Sequence, residues 1–330
     1  MDRSSLKYFL RLIFGILILT YLFFIVDLED FPGVSDVDLS PLALAIPLAC
    51  LDRFLNAYRW NILVNTKNLG ISFSEIAKIY FKSVFVGLII PSSIGGELLK
   101  GYGLYKATSK GVDSVSSVIV ERIFGFIALL SVCLGGFFIF RSVFKAIPNA
   151  VLIWSFCVAA LALTLFVVFL GYFCFPLFSR MSLDKGGKIG LIINRVWTSF
   201  YDYRKDKSKL CNVLFLSFLV QFVRVVFIWS LGVSLGVKSE FLYYTVFVPL
   251  AQLGSMMPLS IAGLGIEEGA FIYFFSLVGE NSATILGMGI LSRILNICSV
   301  LPGGWLFLRE GIGLKAKRND QKGISPEACT

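Results

Sequence analysis

Histidine is absent from all 330 residues of this chain, and that absence removes several chemistries together. Serine and cysteine hydrolases with an imidazole base, HExxH zinc sites and His-ligated haem all depend on it. A GxxxxGK[ST] phosphate loop is missing as well, so any ATP would have to be used by a partner. The seven cysteines, Cys50, Cys133, Cys157, Cys174, Cys211, Cys298 and Cys329, stand singly with no CxxC pair. Such thiols read as small packing hydrophobes rather than metal ligands. Charge is scarce too: Asp, Glu, Lys and Arg make up 15% of the chain, against about 25% in soluble proteins. Few enzyme classes survive these gaps, and no catalytic residue, metal site or cofactor is expected.

What the chain has instead is apolar length. Hydrophobic residues make up 57% of it. Runs such as Leu10 to Val26, Val151 to Cys174 and Leu210 to Val237 approach or exceed the ~18 residues of a bilayer-spanning helix. Lipid offers no partner to a backbone N–H or C=O, and continuous rather than alternating apolarity selects helices over barrel strands. The chain therefore reads as an all-α, polytopic membrane protein with about 6 to 8 spans. One transmembrane domain occupies residues 1–314, followed by a basic tail, 315–330. Arg3, Lys7 and Arg11 precede the first run as in a secretion signal, but Asp27, Leu28 and Glu29 stand where a small-residue cleavage site belongs. That helix is expected to be retained.

Loops rich in Lys and Arg stay in the cytoplasm. The basic N-terminus is followed by a loop with Asp27, Glu29, Asp30, Asp36 and Asp38 and no basic residue. After a second helix, Pro41 to Val64, come Lys67, Lys78 and Lys82; the connection from Arg180 to Lys209 carries eight Lys or Arg, and the tail adds Arg309, Lys315, Lys317, Arg318 and Lys322. Both termini are thus expected on the cytoplasmic side of the cell membrane. The net charge of +9 signals topology and attraction to anionic headgroups before nucleic acid. Within 188–204, Ile189, Ile192, Ile193, Val196, Trp197, Phe200 and Tyr203 recur at helical spacing between Lys188, Arg195 and Arg204. This stretch reads as an amphipathic helix on the inner leaflet, or as a short helix packed on the spans through the same stripe.

Two apolar stretches are interrupted. Ile79 to Leu99 is broken at Pro91-Ser92-Ser93-Ile94-Gly95-Gly96, and Phe241 to Val278 at Pro258 through Gly265. Flanking charge gives them opposite entry faces, and broken helices at membrane depth occur where protein or a polar cavity covers them. Ionisable residues also fall inside apolar stretches: Asp52 and Arg53, Glu97, Glu121 and Arg122, Arg224, Glu267 and Glu268, and Arg293. Each costs at least ~2.5 kcal/mol at the bilayer centre on insertion scales. Ion pairs bracing helices account for single residues. As a set, with four arginines offering forks suited to phosphate, they suggest a headgroup pocket. Glu97 to Arg122 and Glu268 to Arg293 are both 25 residues apart, each behind a proline and glycine break, the pattern of an inverted-topology repeat.

At these residues the chain resembles the membrane-spanning flippase region of lysylphosphatidylglycerol synthases and the related stand-alone flippase-like proteins. The resemblance rests on Arg59-Trp60, Pro91 through Gly96-Glu97 with Lys100, Glu121-Arg122, and Pro258 through Gly265-Ile266-Glu267-Glu268-Gly269 with Arg293. It implies a lipid translocase moving a phospholipid or lipid-linked amphiphile between leaflets, with Arg53, Glu97, Lys100, Glu121, Arg122, Arg224, Glu267, Glu268 and Arg293 as substrate-binding candidates. Lys100 and Glu267 depart from the arginine and basic residue common at these places in such relatives. The soluble aminoacyl-transferring domain is not seen, so lipid lysylation itself is not expected. Two other readings stand beside this one. A membrane-embedded transferase has Asp36-Val37-Asp38 as its best support, on the acidic outer loop; a non-transporting scaffold would serve a partner membrane enzyme.

The topology can be checked with a thiol probe that does not cross the membrane. A single cysteine introduced at position 36 should react from outside the cell, and one placed within 180–209 only after permeabilisation; preferential reaction of position 36 from inside overturns the orientation.

Overall fold

The computed structural model describes residues 37–89, 95–140, 147–170, 201–256 and 263–311, with scattered positions between them. Most of the first apolar run, most of the amphipathic 188–204 stretch including Trp197, and the basic tail lie outside the described residues. The described chain is helical: α1 (Leu39–Thr66), α2 (Phe73–Ile89), α3 (Gly95–Thr108), α4 (Gly111–Ile139), α5 (Ala150–Phe169), α6 (Lys207–Ser234), α7 (Phe241–Ser255), α8 (Ile266–Ser276) and α9 (Ser282–Glu310). Five of these, α1, α4, α5, α6 and α9, are long and apolar enough to cross a membrane. The exposed surface agrees: Val151, Leu152 and Phe156 of α5 are all more than 60% exposed, a patch that hydrocarbon accepts and water does not. The protein is a multi-pass membrane protein.

Local chemistry sets the helix ends. Asp38 caps α1 by accepting the Ser40 N–H at 2.9 Å, so this half of the Asp36-Val37-Asp38 motif holds a helix terminus. Asp206 caps α6, accepting the Lys209 N–H at 3.2 Å, and the Lys209 ammonium beside it holds its carboxyl below the usual range.

α1 and α6 form the central pair and run antiparallel. Their contacts step in opposite directions along the chain: the Asp38 N–H donates to the Ser234 carbonyl at 2.8 Å, Arg224 to Asp52 at 2.9 Å, and Arg59 to Ser217 at 3.2 Å. Each of the two is followed by a helical hairpin. In α2/α3, a Cβ on Gly87 would lie 3.0 Å from the Gly96 Cα, and one on Gly96 2.9 Å from the Ser83 carbonyl oxygen. In α7/α8, the ring centroids of Tyr244 and Phe275 lie 4.7 Å apart at a tilt of 59°, while a Cβ on Gly254 would meet Ile266 at 3.5 Å. Here the turn uses Gly263 and Gly265 at φ 72° and 79°, conformations that side chains with a Cβ avoid. With 1.5 Å of rise per residue, no hairpin arm exceeds about 25 Å, short of the ~30 Å hydrocarbon core. Each hairpin enters and leaves by one face. Because α2 starts beside the end of α1 and α7 beside the start of α1, those faces are opposite.

The two halves, α1 to α4 and α6 to α9, are thus an inverted repeat. The same 171-residue offset relates Arg53 to Arg224, Glu97 to Glu268 and Arg122 to Arg293. Each half also lays its last helix on the other half's hairpin. A Cβ on Gly303 of α9 would fall 2.2 Å from the Phe81 carbonyl oxygen of α2, and one on Gly136 of α4 would fall 2.5 Å from Val246 of α7. In lipid such close approach replaces the hydrophobic drive between helices.

The crossing at Gly303 meets backbone and cannot yield by side-chain motion. Gly303→Ala should cost about 1–3 kcal/mol by overpacking, read as a lower thermal midpoint in detergent. At Gly135 a Cβ has nothing within 4 Å, and Gly135→Ala should match or exceed the wild-type midpoint. Equal midpoints for the two variants would contradict this packing.

Candidate functional site

Polar side chains inside the bundle follow helical spacing. Asp52, Asn56 and Arg59 stand at i, i+4 and i+7 on α1, and Ser217, Gln221 and Arg224 repeat the spacing on α6. Both rows lie where the antiparallel pair crosses. At the centre, Asp52 accepts from Arg224 at 2.9 Å and lies 3.7 Å from Arg53. Arg53 reaches across to α9, donating to Asn296 at 2.7 Å and Ser299 at 3.2 Å. Arg53 and Arg224 are equivalent under the repeat, so the pseudo-two-fold axis passes between them.

The first half adds a buried triad. Glu121 of α4, 5% exposed, accepts from Arg59 at 3.2 Å and from the Lys100 ammonium of α3. Lys100 also sits over the faces of Trp60 and Tyr80, 4.9 and 5.1 Å from their centroids, where the ring quadrupole favours a cation. Arg59 donates to Asn56 at 2.9 Å and Ser217 at 3.2 Å; its buried Nε–H has no acceptor among the described residues. Nearer the surface, Arg122 pairs with Glu97.

These arginines, Lys100, Glu97 and Glu121 line a cavity of about 590 Å³ between the halves, with Asp52 behind them. Its ionisable lining comprises the cations Arg53, Arg59, Lys100, Arg122 and Arg224 and the carboxylates Glu97 and Glu121. Cations are in excess, so the site suits an anion and opposes a metal. No cluster of three metal-ligating side chains occurs among the described residues.

Six of the nine sequence candidates, Arg53, Glu97, Lys100, Glu121, Arg122 and Arg224, therefore converge on one cavity. Glu267, Glu268 and Arg293 are not in its described lining. Glu268, 2% exposed, accepts from Arg293 at 2.5 Å and from the Gly265 N–H at 2.8 Å, closing the start of α8. Glu267 lies 3.8 Å from the same guanidinium. The 171-residue offset explains the difference. It places Phe271 opposite Lys100, Ser292 opposite Glu121 and Ser230 opposite Arg59, so the second half has no triad. Arg59 was not among the sequence candidates, although its i+7 spacing from Asp52 was a readable sign.

A family model described as the lysylphosphatidylglycerol synthase TM region matches residues 8–304. The chain belongs to that family. The matched region of this TM-region family contains both hairpins and every charged residue of the cavity. Similar proteins include a UPF0104 membrane protein of Pyrococcus horikoshii, 24% identical over 327 residues, with 92% of this chain and 97% of the relative covered. Another, from Methanocaldococcus jannaschii, is 25% identical over 248 residues, covering 72% of this chain and all of the relative. A third, from Methanothermobacter thermautotrophicus, is 21% identical over 306 residues, covering 84% and 87%.

The triad is electrostatically lopsided, with one carboxylate serving two buried cations. Glu121→Gln should cost about 3 kcal/mol, the low end for breaking a buried pair, because the cavity admits water. Lys100→Met leaves Glu121 and Arg59 paired one to one and replaces the ammonium by an apolar end of similar volume, so it should cost less than Glu121→Gln, about 1.5 kcal/mol or below. Unfolding of both variants in detergent tests this ranking, and an equal loss would refute it.

Proposed function

We propose that this TM-region family member is a lipid translocase: it takes the phosphate or other anionic headgroup of a membrane amphiphile into the central cavity and passes it between leaflets unchanged. The observation that carries this reading is the cavity's excess of cations at the crossing of an inverted repeat. Arginine presents a planar fork of donors that matches phosphate oxygens, and the weakly hydrated guanidinium loses less on leaving water than an ammonium does. Glu97 pairs Arg122, and Glu121 is shared by Arg59 and Lys100, so an entering phosphate competes for cations that their carboxylates only partly neutralise. The operation that exchanges the two halves also exchanges Arg53 and Arg224, so both can serve a headgroup arriving from either face. Rocking of the halves about that fixed site is the motion inverted repeats favour. Residence in the cell membrane, with both termini cytoplasmic, is part of the same reading.

The test is a leaflet-resolved assay of anionic phospholipid in proteoliposomes containing only this chain and no nucleotide. Wild-type protein should move lipid. Arg53→Gln and Arg122→Gln each remove a charge-assisted hydrogen bond, of about 1.5–3 kcal/mol, and should slow transport roughly ten-fold or more with folded yield maintained. Glu268→Gln should instead lower folded yield, since it removes the carboxylate that both caps α8 and pairs Arg293, leaving the guanidinium the more distant carboxylate of Glu267 at 3.8 Å. Normal transport by both arginine variants removes the cavity from the mechanism. A chemically altered lipid would favour the transferase, and no transport by the wild type the scaffold.

A further inference from the structure

The outer surface between α3 and α4 carries a second depression, a groove of about 780 Å³. Leu98, Tyr102 and Tyr105 form one wall, with Val115 and Ile119 on the other. These five side chains are between 40% and 68% exposed, and α4 is one of the helices long and apolar enough to cross a membrane. Gly101 widens the floor, since a Cβ there would have its nearest neighbour, on Val118, at 3.9 Å. The ionisable groups in the lining are Glu97 and Arg122, and both also line the charged cavity. Cavity and groove are therefore one surface that changes from cationic to apolar at a single ion pair.

We infer that the groove between α3 and α4 holds a hydrocarbon chain of the lipid whose anionic headgroup sits in the cavity, with Glu97 and Arg122 marking where head and tail part. The inference rests on the translocase reading and deepens it. An amphiphile crossing a membrane must keep its head away from hydrocarbon and its chain away from the cationic cavity. The surface that meets both needs is a polar site opening sideways onto an apolar track. The Glu97–Arg122 pair is fitted to that boundary. Its side chains are 28% and 44% exposed, against 6% for Glu121, so it can part for a headgroup without uncovering the triad. The groove runs from Glu97 to Tyr105, eight residues of helix or about 12 Å, and ends beside tyrosines, which suit the edge of the hydrocarbon.

The experiment uses the full chain in proteoliposomes with two phosphatidylglycerol probes, one bearing a photoreactive diazirine near the headgroup end of its acyl chain and one at the chain terminus. The proximal probe should crosslink around 97–98 and 119–123, and the terminal probe around 102–115. The reverse order describes a lipid with its head at the interface, and overturns the inference. So does labelling of α5, equally apolar and exposed, as strongly as α3 and α4, or labelling by neither probe where a second copy or another helix fills the groove. Val115→Trp, which fills the groove from one wall, should lower crosslinking and transport at least ten-fold while glycerol phosphate still binds the cavity in detergent. Because the wild-type crosslink map decides the matter alone, poor folding of that variant would not obscure it. Failure of glycerol phosphate to bind the wild-type protein would count against the translocase reading instead.

Discussion

Inside hydrocarbon a charge persists only beside a partner, and in this protein the partner stands on another helix. Asp52 of α1 holds Arg224 of α6, Glu121 of α4 holds Arg59 of α1 and Lys100 of α3, Glu268 of α8 holds Arg293 of α9, and Lys82 of α2 holds Glu310 of α9. Separating the helices at any of these pairs leaves a buried ion without its partner. The same pairs that make insertion costly therefore fix how the helices are arranged, a role apolar contact fills poorly when lipid tails are as apolar as the side chains they would replace.

The inverted repeat distributes these pairs unequally. Both halves share the hairpin, the glutamate and the arginine of the following helix. Only the first adds Lys100, Arg59 and Glu121, giving two buried cations to one carboxylate. The second half uses its glutamate to cap α8 against Gly265 and to hold Arg293, and a Cβ on Gly289 of α9 would come within 3.0 Å of that side chain. One half gathers buried cations around a single carboxylate and the other pairs its glutamate and arginine at a turn, built on one topology. Arg53 and Arg224 at the axis connect them.

Hydropathy and charge carried much of this. Continuous apolar runs named the helices; proline and glycine clusters located the two breaks; the 25-residue spacing and the alternation of acidic and basic loops pointed to opposite entry faces. The structure bears out the all-α fold, the hairpins and the inverted relation. The placement of Asp38 as a helix cap answers half of the Asp36-Val37-Asp38 motif with a structural role. Arg59 helps carry the family resemblance but is not among the substrate-binding candidates, because it sits near the end of its apolar run, where an arginine ordinarily reaches out to headgroups.

The sequence by itself determined the helices, the two breaks between them and the residues whose burial demands a partner, because each depends on local composition and spacing. Tertiary structure decided which partner each charge takes, that Arg122 faces a cavity while Arg293 closes a turn, and that the groove beside α3 meets the cavity at Glu97. The physical reason is the solvent. In water the apolar side of a helix marks its buried face. In a bilayer, core and lipid are equally apolar, so a helix pattern does not say which face looks inward until the helices are set against one another.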